Sequence, residues 1–105
     1  MDNFKVIYKI LKLLEVAMDY DEFDRNQLTA EYLGISKNRL DAILTMLQEE
    51  GYVHGVMYVR GLHGVKLDPS FGITLKGLEY LEENSTMKKA AALIKGIKEI
   101  GRAHV

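Results

Sequence analysis

The sequence predicts a small α+β domain, about five helices with one short antiparallel hairpin. Three observations carry this. Apolar residues recur at helical spacing near both ends and in the middle of the chain. A Leu-Gly-Ile-Ser run at residues 33–36 punctuates two of these helical stretches. Residues 52–59 switch to a β-branched and aromatic composition with period-two alternation, followed by a glycine-containing loop.

The first helix is expected over residues 3–18, with Phe4, Ile7, Ile10, Leu11, Leu14 and Met18 on one stripe. Lys5, Lys9, Lys12 and Glu15 fall largely off it. Residues 19–24 are acidic and polar apart from Tyr20 and Phe23, and read as a connector with a short extended piece at 22–24. Asn26 is placed to cap a helix over 27–33. Ala30 is small where one helix must approach another, Gly34 supplies a positive φ, Ile35 plugs the gap and Ser36 caps the next helix. That helix buries Leu40, Ile43, Leu44 and Leu47 and ends at Gly51. Its opposite face carries Lys37, Asn38, Arg39, Ala42 and Thr45. Together these two helices have the spacing of a helix-turn-helix, whose second helix can enter a DNA major groove. The plainer alternative is an αα-hairpin that only packs a core.

A strand over 52–59, a loop at Arg60–Gly64 and a return strand at 65–67 make the hairpin, and Asp68–Gly72 is expected to break regular structure. Thr74 then caps a helix through Glu83, with Leu75, Leu78, Tyr80 and Leu81 on its apolar side. A last helix is expected over 87–102, striped by Ala90, Leu93, Ile94, Ile97 and Ile100 and ringed by lysines. The division is a domain at 1–84 and a C-terminal helix at 85–105, which packs on the first helix or on a dimer partner through Leu93, Ile94, Ile97 and Ile100. Gly96 and Gly101 weaken that helix in isolation, so it needs a partner surface, and a dimer is the preferred reading.

Composition narrows the function. Of 105 residues, 48% are hydrophobic and 28% charged, as in an ordinary water-soluble domain, and one core is the expectation at this length. The chain has no cysteine, which removes disulfides, thiolate zinc sites and cysteine nucleophiles. Nothing approaches the roughly 20 apolar residues of a membrane span and no signal-peptide run opens the chain, so a cytoplasmic location without membrane association is expected. Net charge is −1, with four basic and seven acidic groups in residues 1–34, four of each in 35–68 and six against four in 69–105. A strong non-specific grip on phosphate is not expected from that balance.

The order helix, helix pair, hairpin, with LTAEYLGISKNRLDAILTMLQEEGYV followed by ITLKGLEYLEEN, resembles the winged-helix superfamily. The second segment is similar to the I/L-T-x-K-G-x-x-Y/F-L signature that follows the wing in bacterial members. Within it, the chain most resembles the YjcQ-like family of small proteins from Gram-positive bacteria and their phages. That resemblance runs from the first helix through QEEGYVHGVMY, the VKLDP turn and ITLKGLEYLEENS to the terminal KKAAALIKGIKEI. It implies a winged helix-turn-helix fold more than a function, with an association with bacteria and prophages. The preferred reading of the function is sequence-specific DNA binding in transcription control.

Carried onto this chain, that role puts Lys37, Asn38, Arg39, Ala42 and Thr45 on the recognition face. Arg39 suits guanine and Asn38 adenine, while Lys37 and the Ser36 hydroxyl suit phosphate. Arg60 and His63 in the wing loop are the second candidate contact, to backbone or minor groove. The expected partners are double-stranded DNA and a second copy of the chain. The alternative is a protein-interaction module, favoured by the neutral charge, by Asp41, Glu49 and Glu50 on the recognition helix, and by the short wing. His54, His63 and His104 match no metal-ligand spacing, 61–64 is no phosphate loop, and there is no nucleophile motif, so neither cofactor, metal nor catalysis is expected.

Overall fold

The computed structural model describes residues 2–21, 27–58 and 64–84. In order these form α1 (Asn3–Ala17), α2 (Ala30–Leu33), α3 (Lys37–Glu49), β1 (Val53–Tyr58) and β2 (Val65–Ile73), then α4 over residues 75–84. The result is a small α+β arrangement with four helices and one two-stranded antiparallel sheet among the described residues. The expected fifth helix at 87–102, the extended piece at 22–24, the last residue of the first expected strand and residues 60–63 of the expected loop lie outside those residues.

α1 opens under Asp2, whose carboxylate accepts the Phe4 N–H at 3.1 Å. Its buried stripe is Val6, Ile10, Leu11 and Leu14: Ile10, Leu11 and Leu14 are buried as expected, but Val6 joins them while Phe4 is 69% exposed, Met18 62% exposed and Ile7 half-buried. The helix carries apolar residues on two overlapping stripes, so periodicity alone does not set its rotation. The rest of the fold selects the face centred on Ile10.

α2 starts later than the expected Gln27, because Thr29 is the residue that caps it. Its Oγ1 accepts the Tyr32 N–H at 3.1 Å, and the expected cap, Asn26, lies outside the described residues. Leu28 and Leu33 bracket that cap at hydrophobic-staple positions and both are buried in the core. Gly34 ends the helix at φ 72°, and the Ile35 N–H reaches back to the Ala30 carbonyl at 3.0 Å. Ser36 then caps α3 by accepting the Arg39 N–H at 3.1 Å, and Leu40, Ile43, Leu44 and Leu47 are all buried as expected. At its far end the Tyr52 N–H donates to the Leu47 carbonyl at 2.8 Å and the Gly51 N–H to Gln48 at 3.0 Å, repeating the way α2 closes.

β1 and β2 pair from Tyr58 with Val65 to Val53 with Ile73. The expected break at Asp68–Gly72 is instead absorbed inside β2. Val56 faces Leu67 and His54 faces Gly72, so Gly55 stands opposite the four residues 68–71. Pro69 cannot donate a ladder bond and is accommodated in this bulge, which Asp68 Oδ1 ties by accepting the Ser70 N–H and hydroxyl, both at 2.7 Å. All six elements meet in one core that also takes in Val53, Val56, Phe71 and Leu81.

The start of α4 is fastened to the end of α3. Thr74 caps α4 by accepting the Gly77 N–H at 3.1 Å, donates its hydroxyl to the Gly51 carbonyl, and donates its N–H to the Tyr52 carbonyl at 3.0 Å. Lys76 donates to the Glu50 carbonyl at 2.9 Å with its ammonium 5.3 Å from the Tyr52 ring centroid, while the Tyr80 ring lies 5.2 Å from the same ring. Gly77 is buried, and a Cβ there would collide with the Tyr52 carbonyl and come 2.6 Å from Ile73 Cγ1. Leu75, expected on the apolar side, is instead 73% exposed, because only Leu81 and, in part, Leu78 and Tyr80 face inward.

Two predictions follow from this joint. In a helix, Gly→Ala ordinarily stabilises by up to about 1 kcal/mol, but here overpacking reverses the sign, and Gly77→Ala is expected to cost about 1–3 kcal/mol in urea unfolding. Burial, reinforced by neighbouring Tyr52 and Asp2, raises the Tyr80 phenol above its ordinary pKa of 10.0. The unfolded chain therefore releases this proton first, so stability falls as pH rises from 10.0 through the folded value. Tyr80→Phe removes that part of the alkaline loss, seen as a smaller drop in urea midpoint between neutral pH and pH above 10.0.

Candidate nucleic-acid interface

Because Leu40, Ile43, Leu44 and Leu47 turn one side of α3 to the core, its other side faces solvent along about 20 Å of helix. Lys37, Asn38, Arg39 and Ala42 are exposed and Thr45 is half-buried. The structure thus brings the helical candidates onto one surface. Met46, 47% exposed, extends that surface one turn beyond Ala42 and was not among the sequence candidates. Its position four residues after Ala42 and seven after Arg39 is the signal that identifies it.

The polar groups on this face are partly engaged within the protein. The Ser36 oxygen is occupied as the α3 cap. The Lys37 ammonium is 2.9 Å from Asp41 Oδ2, an ion pair whose carboxylate side chain is only 17% exposed against 66% for the lysine. The Thr45 hydroxyl donates to the Asp41 carbonyl at 2.8 Å. Asp41 thus does not stand out as a bare negative charge, but Glu49 and Glu50 at the far end of α3 are exposed. Arg60 and His63, the wing candidates, and Leu93, Ile94, Ile97 and Ile100, the dimer candidates, lie outside the described residues.

Between the helix pair and the hairpin lies a cleft of about 550 Å³, with Leu28, Leu40, Leu44, Val65 and Leu67 among its apolar lining. Lys37 and Asp41 stand at the same cleft. Among the described residues no group of three or more His, Asp or Glu side chains converges as a metal site, and no helix is long and apolar enough to cross a membrane.

The hairpin is held to the helix by a residue that periodicity does not mark. Gln48 donates from Nε2 to the Val56 carbonyl at 2.7 Å and accepts the Val56 N–H on Oε1 at 2.6 Å. A carboxamide offers a donor and an acceptor side by side, as a neighbouring peptide unit does, so it satisfies both backbone groups at once.

The geometry defines a small α+β protein whose capped helix pair presents one polar helix face beside a hairpin. The YjcQ protein family matches residues 8–100, and the chain belongs to that family. It is 36% identical over 101 residues to the uncharacterized protein YjcQ of Bacillus subtilis strain 168, an alignment covering 94% of this chain and 97% of that protein. No solved structure matches it.

The Gln48 bridge generates a prediction about the joint that aims the face. Gln48→Ala leaves a part-buried N–H and carbonyl unpaired and is expected to cost about 1–3 kcal/mol in chemical unfolding. Gln48→Glu keeps the acceptor and loses the donor, and its unfolding midpoint at neutral pH is expected below that of the unaltered protein.

Proposed function

We propose that this chain is a winged helix-turn-helix protein that binds double-stranded DNA sequence-specifically and acts, without catalysis, in bacterial or prophage transcription control in the cytoplasm. The observation that supports it best is the solvent-facing side of α3, where Asn38, Arg39, Ala42 and Met46 are exposed on one surface. α3 is laid in the major groove, with Arg39 directed at guanine, Asn38 at adenine, and Ala42 and Met46 against thymine methyl groups. Arg60 and His63 follow the backbone alongside. A homodimer suits a chain of net charge −1, since two copies double the phosphate contacts.

A second reading is a protein-interaction module using the same face. The exposed Glu49 and Glu50 and the internal pairing of Lys37 favour it, because both reduce the attraction to phosphate.

Fluorescence anisotropy against a pool of random duplex DNA, at low and at physiological salt, separates the two. Binding that weakens steeply with salt, and that Arg39→Ala reduces by about 10- to 100-fold, is the expected result. No binding at either salt overturns the DNA reading in favour of a protein partner.

A further inference from the structure

Lys37 sits at the first position of α3, where a positive charge opposes the helix dipole. Its partner Asp41 follows four residues later, which is the weaker order for an intrahelical pair. The helix itself therefore gains little from this arrangement. Gly64, immediately before β2, lies against both charged ends: a Cβ built on it would stand 2.6 Å from Asp41 Oδ2 and 3.0 Å from Lys37 Nζ. Asp41 is the more buried partner, and its backbone carbonyl is tied to Thr45. Val65 and Leu67, the next inward residues of β2, line the same cleft as Lys37 and Asp41.

We propose that the Lys37–Asp41 pair is a positioning device, the seat on which the base of β2 rests, and that Lys37 sets the hairpin relative to the exposed face of α3 instead of contacting DNA. The seat holds whatever the face binds; only its meaning for DNA rests on the function proposed above. In this division of labour the Lys37 ammonium, though exposed, is committed to Asp41 beside Gly64, and recognition falls to the residues from Asn38 to Met46.

The test uses the full chain with Lys37→Met, which keeps the alkyl stem, Asp41→Asn, and the double variant. Amide hydrogen exchange without DNA reads the seat directly. In each single variant, exchange at Lys66, the amide of this stretch that faces Met57 across the ladder, is expected to quicken about two- to fivefold, the range for losing an exposed ion pair, with the double variant no faster than either single one. Amides of α4 serve as the unmoved reference. Unchanged exchange at the base of β2 in both single variants overturns the proposal whether or not DNA is bound. Where DNA binds, Lys37→Met is expected to leave the slope of log affinity against log salt unaltered. A slope reduced by about 0.9, the value of one phosphate contact, makes Lys37 a contact residue and also overturns it. Absence of DNA binding defeats the proposed function alone, and the exchange measurement still decides the seat.

Discussion

The joint between the end of α3 and the start of α4 is the constraint on which the other contacts depend. Glu50, Gly51 and Tyr52 each offer a carbonyl there, and Lys76 and Thr74 take all three. A helix terminus leaves its last carbonyls without internal partners. In α3 the N–H groups of Glu50, Gly51 and Tyr52 close those of Met46, Gln48 and Leu47. A second helix arriving from the far side of the hairpin takes the carbonyls of the turn itself, so that turn is fully bonded only with β1 and β2 in place. Gly77 lets the two backbones come close enough for this, and the Tyr52 and Tyr80 rings cover the contact from the side. The threonine, lysine and glycine of the ITLKG segment are therefore explained by architecture, with no ligand required.

With that joint closed, α3 is held from both ends and along one flank. Ser36 and the Gly34 turn fix its start against α2, the α4 joint fixes its finish, and Gln48 anchors its last turn to β1. Its outward face is thus carried on a rigid support, the condition under which a few exposed side chains can present a defined pattern. The pattern itself is polar at the N-terminal end, apolar at Ala42 and Met46, and acidic at Glu49 and Glu50.

How much of this is legible in the sequence depends on the distance over which each feature is decided. The α2–α3 pair is settled by neighbours: Gly34 and Ser36 take the expected roles, and the buried face of α3 is the expected one. Its exposed face follows as the complement. The rotation of α1 is not local, because eleven apolar residues from Phe4 to Met18 allow two stripes and only packing decides between them. Pro69 signals a break, but the partner strand converts that break into a bulge. Thr74 is recognisable as a cap, whereas its bond to Gly51 spans 23 residues and that of Lys76 to Glu50 spans 26, and no short-range pattern records them. Gln48 is hidden for a similar reason, since its partner is backbone and leaves no side-chain signature.

The Gln48 bridge has a consequence for how this protein behaves in company. A two-stranded sheet has an unpaired rim on each strand, and such rims recruit other chains through their free N–H and carbonyl groups. At Val56, midway along β1, both groups are already occupied by a side chain rooted in α3. An invading strand would have to displace Gln48 before it could extend the ladder there. The same amide that joins helix to hairpin thereby guards β1 against misassembly at high concentration.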